Sequence, residues 1–382
     1  MSAEAVTVVH TVASLTPNSG VTPVIRGYLQ DRANAGLSSV CIYFDEPGTT
    51  REQISHLSEK DRSHLVPVAR PAAPWAQYAA FGQILANTLS KLQANGHSVI
   101  VHDHGLWLPS NLATSTVARQ LDCRYIVSPH GMLQPQAMAY ASLKKRLAWL
   151  LYEKRRLQKA AALHVTSNIE AQSVARQLPS ANLIQVPIGI SLPQIPPRDR
   201  PRRQDVIYLG RLSPIKGISM LIKAWQLAKQ AGWHLRLVGP CDPAYLQQLR
   251  DEVAQLNVGD SVSFDGPLYG VDKQTLLLES HVLVLPSFSE NFGMVVVEAL
   301  AHGLPVITTN RTPWLSIPQK GCGWIVQPEA SRLAEAIRSA MSTSANDAER
   351  MGACGRIWMK EDFDPLILAR RMNEHYLELT GG

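Results

Sequence analysis

Cysteine is sparse in this 382-residue chain: Cys41, Cys123, Cys241, Cys322 and Cys354 are the whole set. The number is odd, the positions are scattered, and no Cys-x-x-Cys pair occurs. That argues against a disulfide framework and against a structural zinc site, and it fits a reducing compartment. Long apolar runs are missing as well. None approaches the roughly 18–20 consecutive residues of a membrane span. The opening Met1-Ser2-Ala3-Glu4-Ala5 has no basic stretch leading into an apolar one, so no secretory signal is expected and a cytoplasmic location is. Short internal repeats are absent. With 45% hydrophobic and 18% charged residues, the chain is neither disordered nor collagen-like.

What is present is a positive balance and a rhythm. The chain has 37 Lys+Arg against 31 Asp+Glu, a net charge of +6, which suits anionic partners such as nucleotides, phosphates or acidic lipid. Its length suggests two domains at roughly 100–200 residues each. Strands are predicted at 6–12, 39–44, 97–101, 124–127, 162–165 and 182–186, with helices at 75–94, 111–121 and 142–159. The second half repeats the scheme: strands at 205–209, 233–238, 261–264, 281–285 and 305–308, helices at 216–231, 243–256 and 294–302. Unbroken apolar strands such as Val282-Leu283-Val284-Leu285 suit a parallel sheet covered on both faces. The predicted class is α/β, with two Rossmann-like doubly wound domains. Residues 190–204 (ISLPQIPPRDRPRRQ) hold four prolines and little helical periodicity, a linker signature. The domains are placed at 1–190 and 205–364, with the linker at 191–204. A last helix at 365–382, opening on Asp364-Pro365, is expected to pack back on the first domain. In such sheets ligands bind outside the carboxyl ends of the strands.

The strongest local signal runs from Ser287 to Leu300 (SFSENFGMVVVEAL). It follows a buried strand and opens a helix. Glu290 sits in its loop and Glu298 eight positions on, within the helix. Helix-start amides at Phe292, Gly293 and Met294 favour an anionic group. A loop carboxylate beside them can accept from sugar hydroxyls, and the second can bridge the two hydroxyls of a ribose. The plainer alternative is two acids with no shared task. The second signal is Tyr208 to Gly217 (YLGRLSPIKG), again from strand to helix. Arg211 offers a planar fork for phosphate oxygens and Lys216 a mobile point charge; a solvated basic turn is the alternative.

These two segments, in this order and about eighty residues apart, resemble the nucleotide-sugar-dependent retaining glycosyltransferases of family four, with the GT-B fold. The segments 233–239 (WHLRLVG) and 262–267 (VSFDGP) extend the likeness along the second domain. The resemblance implies two domains facing a central cleft, the first on the acceptor side and the second holding the donor. It implies that Arg211 and Lys216 hold the donor diphosphate and Glu298 the ribose. Glu290, with Asn291 and the Phe292–Met294 backbone, would hold the transferred sugar, and Leu268 would lie by the base. In the first domain, Gly20 falls in the loop after the first strand that approaches the donor phosphates. The family often has two glycines there, and this chain has one. His130, in Ser128-Pro129-His130-Gly131-Met132, matches the histidine that contacts the transferred sugar. The segment 186–191 (VPIGIS) departs from the pattern: the family commonly has Asn at the place of Ile188 and Asp at that of Ser191.

His130 and Glu290 are thus the candidate catalytic residues, as positioning and stabilising groups. His104 and Trp107, after a strand ending in His102-Asp103-His104, are candidates for the acceptor side. His102 and His104 share one face by the period of two, but two ligands do not make a metal site. Asp362-Phe363-Asp364 reads as helix-start chemistry. No metal and no cofactor is expected. The expected reaction moves a hexosyl group, with retention, from a nucleotide sugar to a carbohydrate or lipid-linked hydroxyl, in envelope polysaccharide or glycolipid synthesis. Residues 142–159 read as a basic amphipathic helix, with a stripe of Leu143, Leu147, Leu150, Leu151 and Leu157. It is either an ordinary domain helix or a peripheral contact with an anionic membrane. A nucleotide-sugar epimerase on the same fold and a non-catalytic sugar-binding protein remain alternatives. Nucleic-acid binding rests on charge alone and is not expected.

Overall fold

A computed structural model describes residues 5–15, 37–45, 62–139, 142–195 and 202–381, together with Thr22 and Ile25. The chain divides into two compact units. One comprises Met1–Gly189 and Pro365–Gly382, the other Ile190–Asp364.

The first unit is built on a parallel sheet of β1 (Val6–Val12), β2 (Leu37–Asp45), β3 (Leu65–Ala69), β4 (Ser98–His104), β5 (Arg124–Ser128), β6 (Ala162–Val165) and β7 (Leu183–Gln185). Its order is β3-β2-β1-β4-β5-β6-β7. Side chains alternate along each strand, and the two faces bury different partners. Val9, Val101 and Val127 pack with Phe81, Leu85 and Leu89 of the helix Pro74–Ala94. Val6, Val8, Ile100, Ile126 and Ala162 pack under Leu368, Met372 and Tyr376 of the last helix, Pro365–Thr380. Toward the carboxyl ends both faces turn polar. On the side of the last helix, the period of two continues from Val8 to His10, from Ile100 to His102 and His104, and from Ile126 to Ser128. On the other side stands Asp103, which accepts from Thr11 Oγ1 at 2.8 Å, Asn111 Nδ2 at 3.0 Å and Arg156 Nη1 at 2.8 Å.

The segment predicted as one amphipathic helix over 142–159 is helical over 142–158, with a π-helical turn inside it. An α-helix covers Ser142–Ala148, a π-helical turn Trp149–Glu153, and a second α-helix Lys154–Gln158. Arg156 is buried between Asp103 and Glu153, with Arg156 Nη2 2.7 Å from Glu153 Oε1. Arg156 therefore leaves the basic face, and Leu157 leaves the stripe for the core at 1% exposure. Leu143, Leu147, Leu150 and Leu151 remain exposed. Arg156→Leu strands two buried carboxylates without their cation and should cost about 3–5 kcal/mol of stability. Urea unfolding of the variant beside the parent measures this, and a loss below about 1 kcal/mol would show the ion cluster to be dispensable.

The second unit carries β8 (Asp205–Leu209), β9 (His234–Val238), β10 (Val262–Gly266), β11 (Val282–Leu285), β12 (Val306–Thr309) and β13 (Gly323–Val326), in the parallel order β10-β9-β8-β11-β12-β13. The order reverses between β8 and β11. The carboxyl end of such a switch point opens a crevice for ligands. The loops that leave these two strands are the two motif segments. No helix among the described residues is long and apolar enough to cross a membrane.

Candidate active site

The two motif loops are bound to each other. Phe288 N donates to Ile215 O at 2.9 Å. Gly217 is left-handed (φ +72°), and a Cβ on it would stand 2.3 Å from Pro286 O, so only glycine lets the loops approach this closely. The side chains they bring together are charged. Lys216 Nζ lies 2.5 Å from Glu290 Oε2, which also accepts from Ser287 Oγ at 3.2 Å. Arg211 is exposed, and its guanidinium has no partner among the described residues. The turn beneath Arg211 is held by Tyr208, whose hydroxyl donates to Arg211 O at 2.8 Å. Burial pushes the Tyr208 phenol well up, so it stays a neutral donor.

Beside this pair begins the helix Met294–Ala301, capped by left-handed Gly293 (φ +80°). Its first amides have no carbonyl within the helix to bond. Trp314 Nε1 donates to Phe292 O at 2.5 Å, and a Cβ on Gly293 would press on Glu290 Cγ at 3.1 Å and Trp314 Nε1 at 3.2 Å. Thr309 Oγ1 ties down the loop further by donating to Ser287 O at 2.6 Å. Along the helix, Glu298 is paired with Lys273 at 2.7 Å. Lys273 belongs to the helix Gly270–Glu279, which follows the loop that carries Leu268.

The structure thus brings Arg211, Lys216, Glu290, Asn291, Phe292, Gly293 and Met294 to one pair of strand ends, with Glu298 further along the helix. Sequence reasoning missed Lys273 and Trp314. Each comes from a segment with no motif of its own and meets the site only through the fold. Gly20 lies outside the described residues. Asp362 accepts from Trp358 Nε1 at 2.9 Å and pairs with Lys320 at 3.5 Å.

In the first unit, His130 stands just past β5 in a left-handed conformation (φ +49°), and Trp107 past β4 in another (φ +75°). Positive φ at bulky residues is uncommon and tends to mark functional strand ends. The turn after His130 is pinned by Glu170, which accepts from Gly131 N at 2.5 Å and Thr166 N at 2.8 Å. The indole nitrogen of Trp107 is buried and has no partner among the described residues. His104, expected to line the acceptor side, is only 3% exposed. Its Nδ1 lies 3.0 Å from His130 Nε2 and its Nε2 3.1 Å from His10 Nδ1. It therefore stands behind His130 and not at a surface, because an inward position on a central strand has no solvent to face. Burial lowers both rings: His104 well below the usual histidine range and His130 to about 3.

Asp103, the carboxylate within the end of β4 that an epimerase could use for elimination, is locked by Arg156, Thr11 and Asn111, with its carboxyl pushed up by burial. Among the described residues His10, His102 and His104 bring ligand nitrogens within 4.8 Å of one another. The rings of His102 and His104 are stacked, with centroids 4.2 Å apart and planes 28° apart. Their in-plane lone pairs run side by side, and both nitrogens of His102 are taken by Tyr376 and Ser128. This is poor geometry for a cation.

Two parallel-sheet α/β units, with cations and a helix start at the switch point of the second, define a fold of the GT-B kind. Residues 19–189 match the family described as Glycosyl transferase 4-like domain, and residues 196–358 match Glycosyl transferases group 1. The second part of the chain is thus similar to the group 1 glycosyltransferases and the first to a glycosyltransferase 4-like domain. The chain is 27% identical over 232 residues to D-inositol 3-phosphate glycosyltransferase of Mycobacterium marinum, a match covering 56% of this chain and 48% of that protein. Matches to the first such curated relatives span 30%, 42% and 48% of their lengths. The fold is shared with sucrose-phosphate synthase from Thermosynechococcus elongatus (TM-score 0.76, 21% identity, 98% of this chain and 99% of that one). It is shared also with HepE of Anabaena, solved with UDP and glucose (TM-score 0.76, 17% identity, 98% and 100%).

Proposed function

We propose that this chain moves a hexosyl group from a nucleoside-diphosphate sugar to a hydroxyl of a carbohydrate or lipid-linked acceptor, with retention and without a metal, in cell-envelope polysaccharide or glycolipid synthesis. The observation that carries this reading is the junction of the 210–217 and 286–293 loops at the β8/β11 switch point, with Arg211 uncommitted and Lys216 held by Glu290. The bond between the sugar C1 and the β-phosphate oxygen breaks with its electron pair going to phosphate. The acceptor oxygen bonds to C1 on the same face, and its proton passes to the departing phosphate. No protein base is required. Charge grows on the diphosphate, and groups already placed there stabilise it most as it develops. Arg211 and the Phe292–Met294 amides supply that field. An arriving diphosphate competes with Glu290 for Lys216, which frees Glu290 to accept from sugar hydroxyls. Glu298 accepts from the donor ribose, Leu268 lies by the base, Gly20 approaches the phosphates, and His130 contacts the transferred sugar. Trp107 serves the acceptor.

The locked state of Asp103 weighs against the epimerase alternative. Calorimetric titration with a panel of nucleoside diphosphates, with and without EDTA, tests the proposal. UDP comes first, since HepE is solved with it. One diphosphate should bind in EDTA and lose affinity in Arg211→Ala. No binding across the panel would sink the assignment of Arg211 and Lys216.

The acceptor side carries a second feature. Leu143, Leu147, Leu150 and Leu151 are exposed at 82%, 58%, 78% and 70%, among exposed Lys144, Arg146, Lys154, Arg155 and Lys159. Arg119, Arg155 and Lys159 line a cavity of about 280 Å³ beside Leu151. Exposed apolar side chains ringed by cations suit one occupant, an anionic lipid surface. The protein should co-sediment with phosphatidylcholine vesicles that contain phosphatidylglycerol and not with phosphatidylcholine alone. The double variant Leu150→Ser, Leu151→Ser should lose this while keeping diphosphate binding. Equal sedimentation of variant and parent would refute the surface.

A further inference from the structure

The polar carboxyl end of the first sheet contains two hydrogen-bonded chains of neutral side chains, and one of them ends at His130. The other shows how far proton positions are dictated here. His164 Nε2 lies 2.9 Å from Val186 O, and a carbonyl only accepts, so Nε2 carries the proton. A neutral imidazole has one N–H, so His164 Nδ1 accepts from Ser128 Oγ at 2.7 Å. Having given its only proton, Ser128 Oγ accepts from His102 Nε2 at 2.7 Å. His102 Nδ1 then accepts from the Tyr376 hydroxyl at 2.6 Å. One backbone carbonyl orders four groups on three strands and the last helix. Neutrality is enforced by burial, which lowers His164 to about 4 and His102 well below the usual range.

The same logic applies to His130–His104–His10. Each link is a nitrogen facing a nitrogen, at 3.0 and 3.1 Å, so each must hold one proton between two rings. Neutral rings then point all their N–H groups the same way along the chain. If His10 donates, His104 Nδ1 donates to His130 Nε2, and His130 Nδ1 keeps its proton as a donor. If His130 donates, its Nδ1 is bare and accepts. The outer nitrogen of His130 cannot change role unless His104 and His10 change with it. The stacked His102 ring, 4.2 Å from His104, opposes any escape through a charged intermediate.

The geometry points to His104 and His10 as positioning residues that hold the His130 ring at the strand end and set which of its nitrogens carries the proton. This rests on the reading of His130 as the residue that meets the transferred sugar. It goes beyond that reading in assigning a task to two buried histidines that touch no substrate. A sugar hydroxyl both donates and accepts, so a fixed tautomer decides which hydroxyl orientation His130 selects. It also keeps the ring neutral beside a developing positive sugar.

Long-range 1H–15N spectra of histidine-labelled protein at neutral pH test the chain directly. In the parent, His130 and His104 should each show one neutral tautomer, of matching sense, with a coupling across the His130 Nε2 to His104 Nδ1 hydrogen bond. Mixed or opposed tautomers in the parent overturn the inference without any variant. His104→Phe should give His130 a mixture of tautomers and lower kcat by about 10- to 100-fold, as loss of positioning does, with diphosphate affinity unchanged. His104→Asn, whose amide nitrogen can take the place of Nδ1, should restore a single tautomer and most of kcat. A single unchanged tautomer of His130 in His104→Phe overturns the inference. His130→Ala separates the two readings: unchanged activity there removes His130 from the site, whereas the tautomer spectra judge the chain by themselves.

Discussion

Arg211→Ala should lower kcat/KM for glycosyl transfer by about 100- to 1,000-fold, the cost typical of removing one group that stabilises developing negative charge. Its melting temperature should stay within about a degree or two of the parent's, because surface side chains without partners contribute little to stability. The separation follows from the structure. Arg211 is exposed and its guanidinium is uncommitted among the described residues, so nothing folded depends on it. Lys216 differs. Its ammonium neutralises Glu290, whose side chain is 12% exposed. Lys216→Ala should therefore lose activity and also some stability, and Glu290→Gln in the same chain should recover the stability without the activity. Arg211→Lys keeps the charge but loses the planar fork and should recover only part of kcat/KM. Steady-state kinetics with the diphosphate sugar, beside thermal unfolding, reads all of this. If Arg211→Ala keeps parental kcat/KM, the diphosphate lies elsewhere.

The parts of this site that lie within one loop were legible in the sequence. Gly-Arg-Leu with Lys-Gly, and Glu-Asn-Phe-Gly with a following Glu, are local patterns whose spacing reflects a strand, a turn and a helix start. Lys273 and Trp314 were not legible, because each comes from another strand's connection and reaches the site by tertiary packing. The histidines illustrate the same limit. His10 and His164 sit singly within apolar strands, and only the parallel register, which sets His10 opposite His102, assembles them with the His102–His104 pair. The segment 142–159 was legible as a helix, but not the π turn inside it, which accompanies the burial of Arg156 against Asp103, a residue from another strand. β3 was hidden by Pro67 within it, and β13 by its opening glycine and its half-buried pattern. Both are edge strands, where pattern is weakest.

Acid should unfold the first unit before the second. His102, His104 and His164 are buried and neutral, and their protonation is pushed below the usual histidine range, for His164 to about 4. In the unfolded chain each titrates near about 6.5. Between those values the unfolded chain binds more protons than the folded one, so stability is complete above about pH 6.5 and falls as the pH drops toward 4. A histidine displaced from about 6.5 to about 4 withdraws about 3 kcal/mol over that interval. Several acting together approach the roughly 5–15 kcal/mol that holds a domain folded. His130, partly exposed and lowered to about 3, adds in the same direction. Asp103 does not drive the transition, since burial raises its carboxyl and its protonation on folding runs the opposite way. The second unit has His281 and His302, also lowered, but both rings are less deeply buried than His102, His104 and His164, so burial costs them less. Hydrogen exchange read by mass spectrometry along a pH titration should therefore show β4 and β5 opening while β8 and β11 remain protected. His164→Gln can still donate to Val186 O and accept from Ser128 but cannot take a charge, so it should move the midpoint to lower pH. Opening of both units together, at a midpoint that His164→Gln leaves in place, would mean that the buried imidazoles do not set the acid limit of the fold.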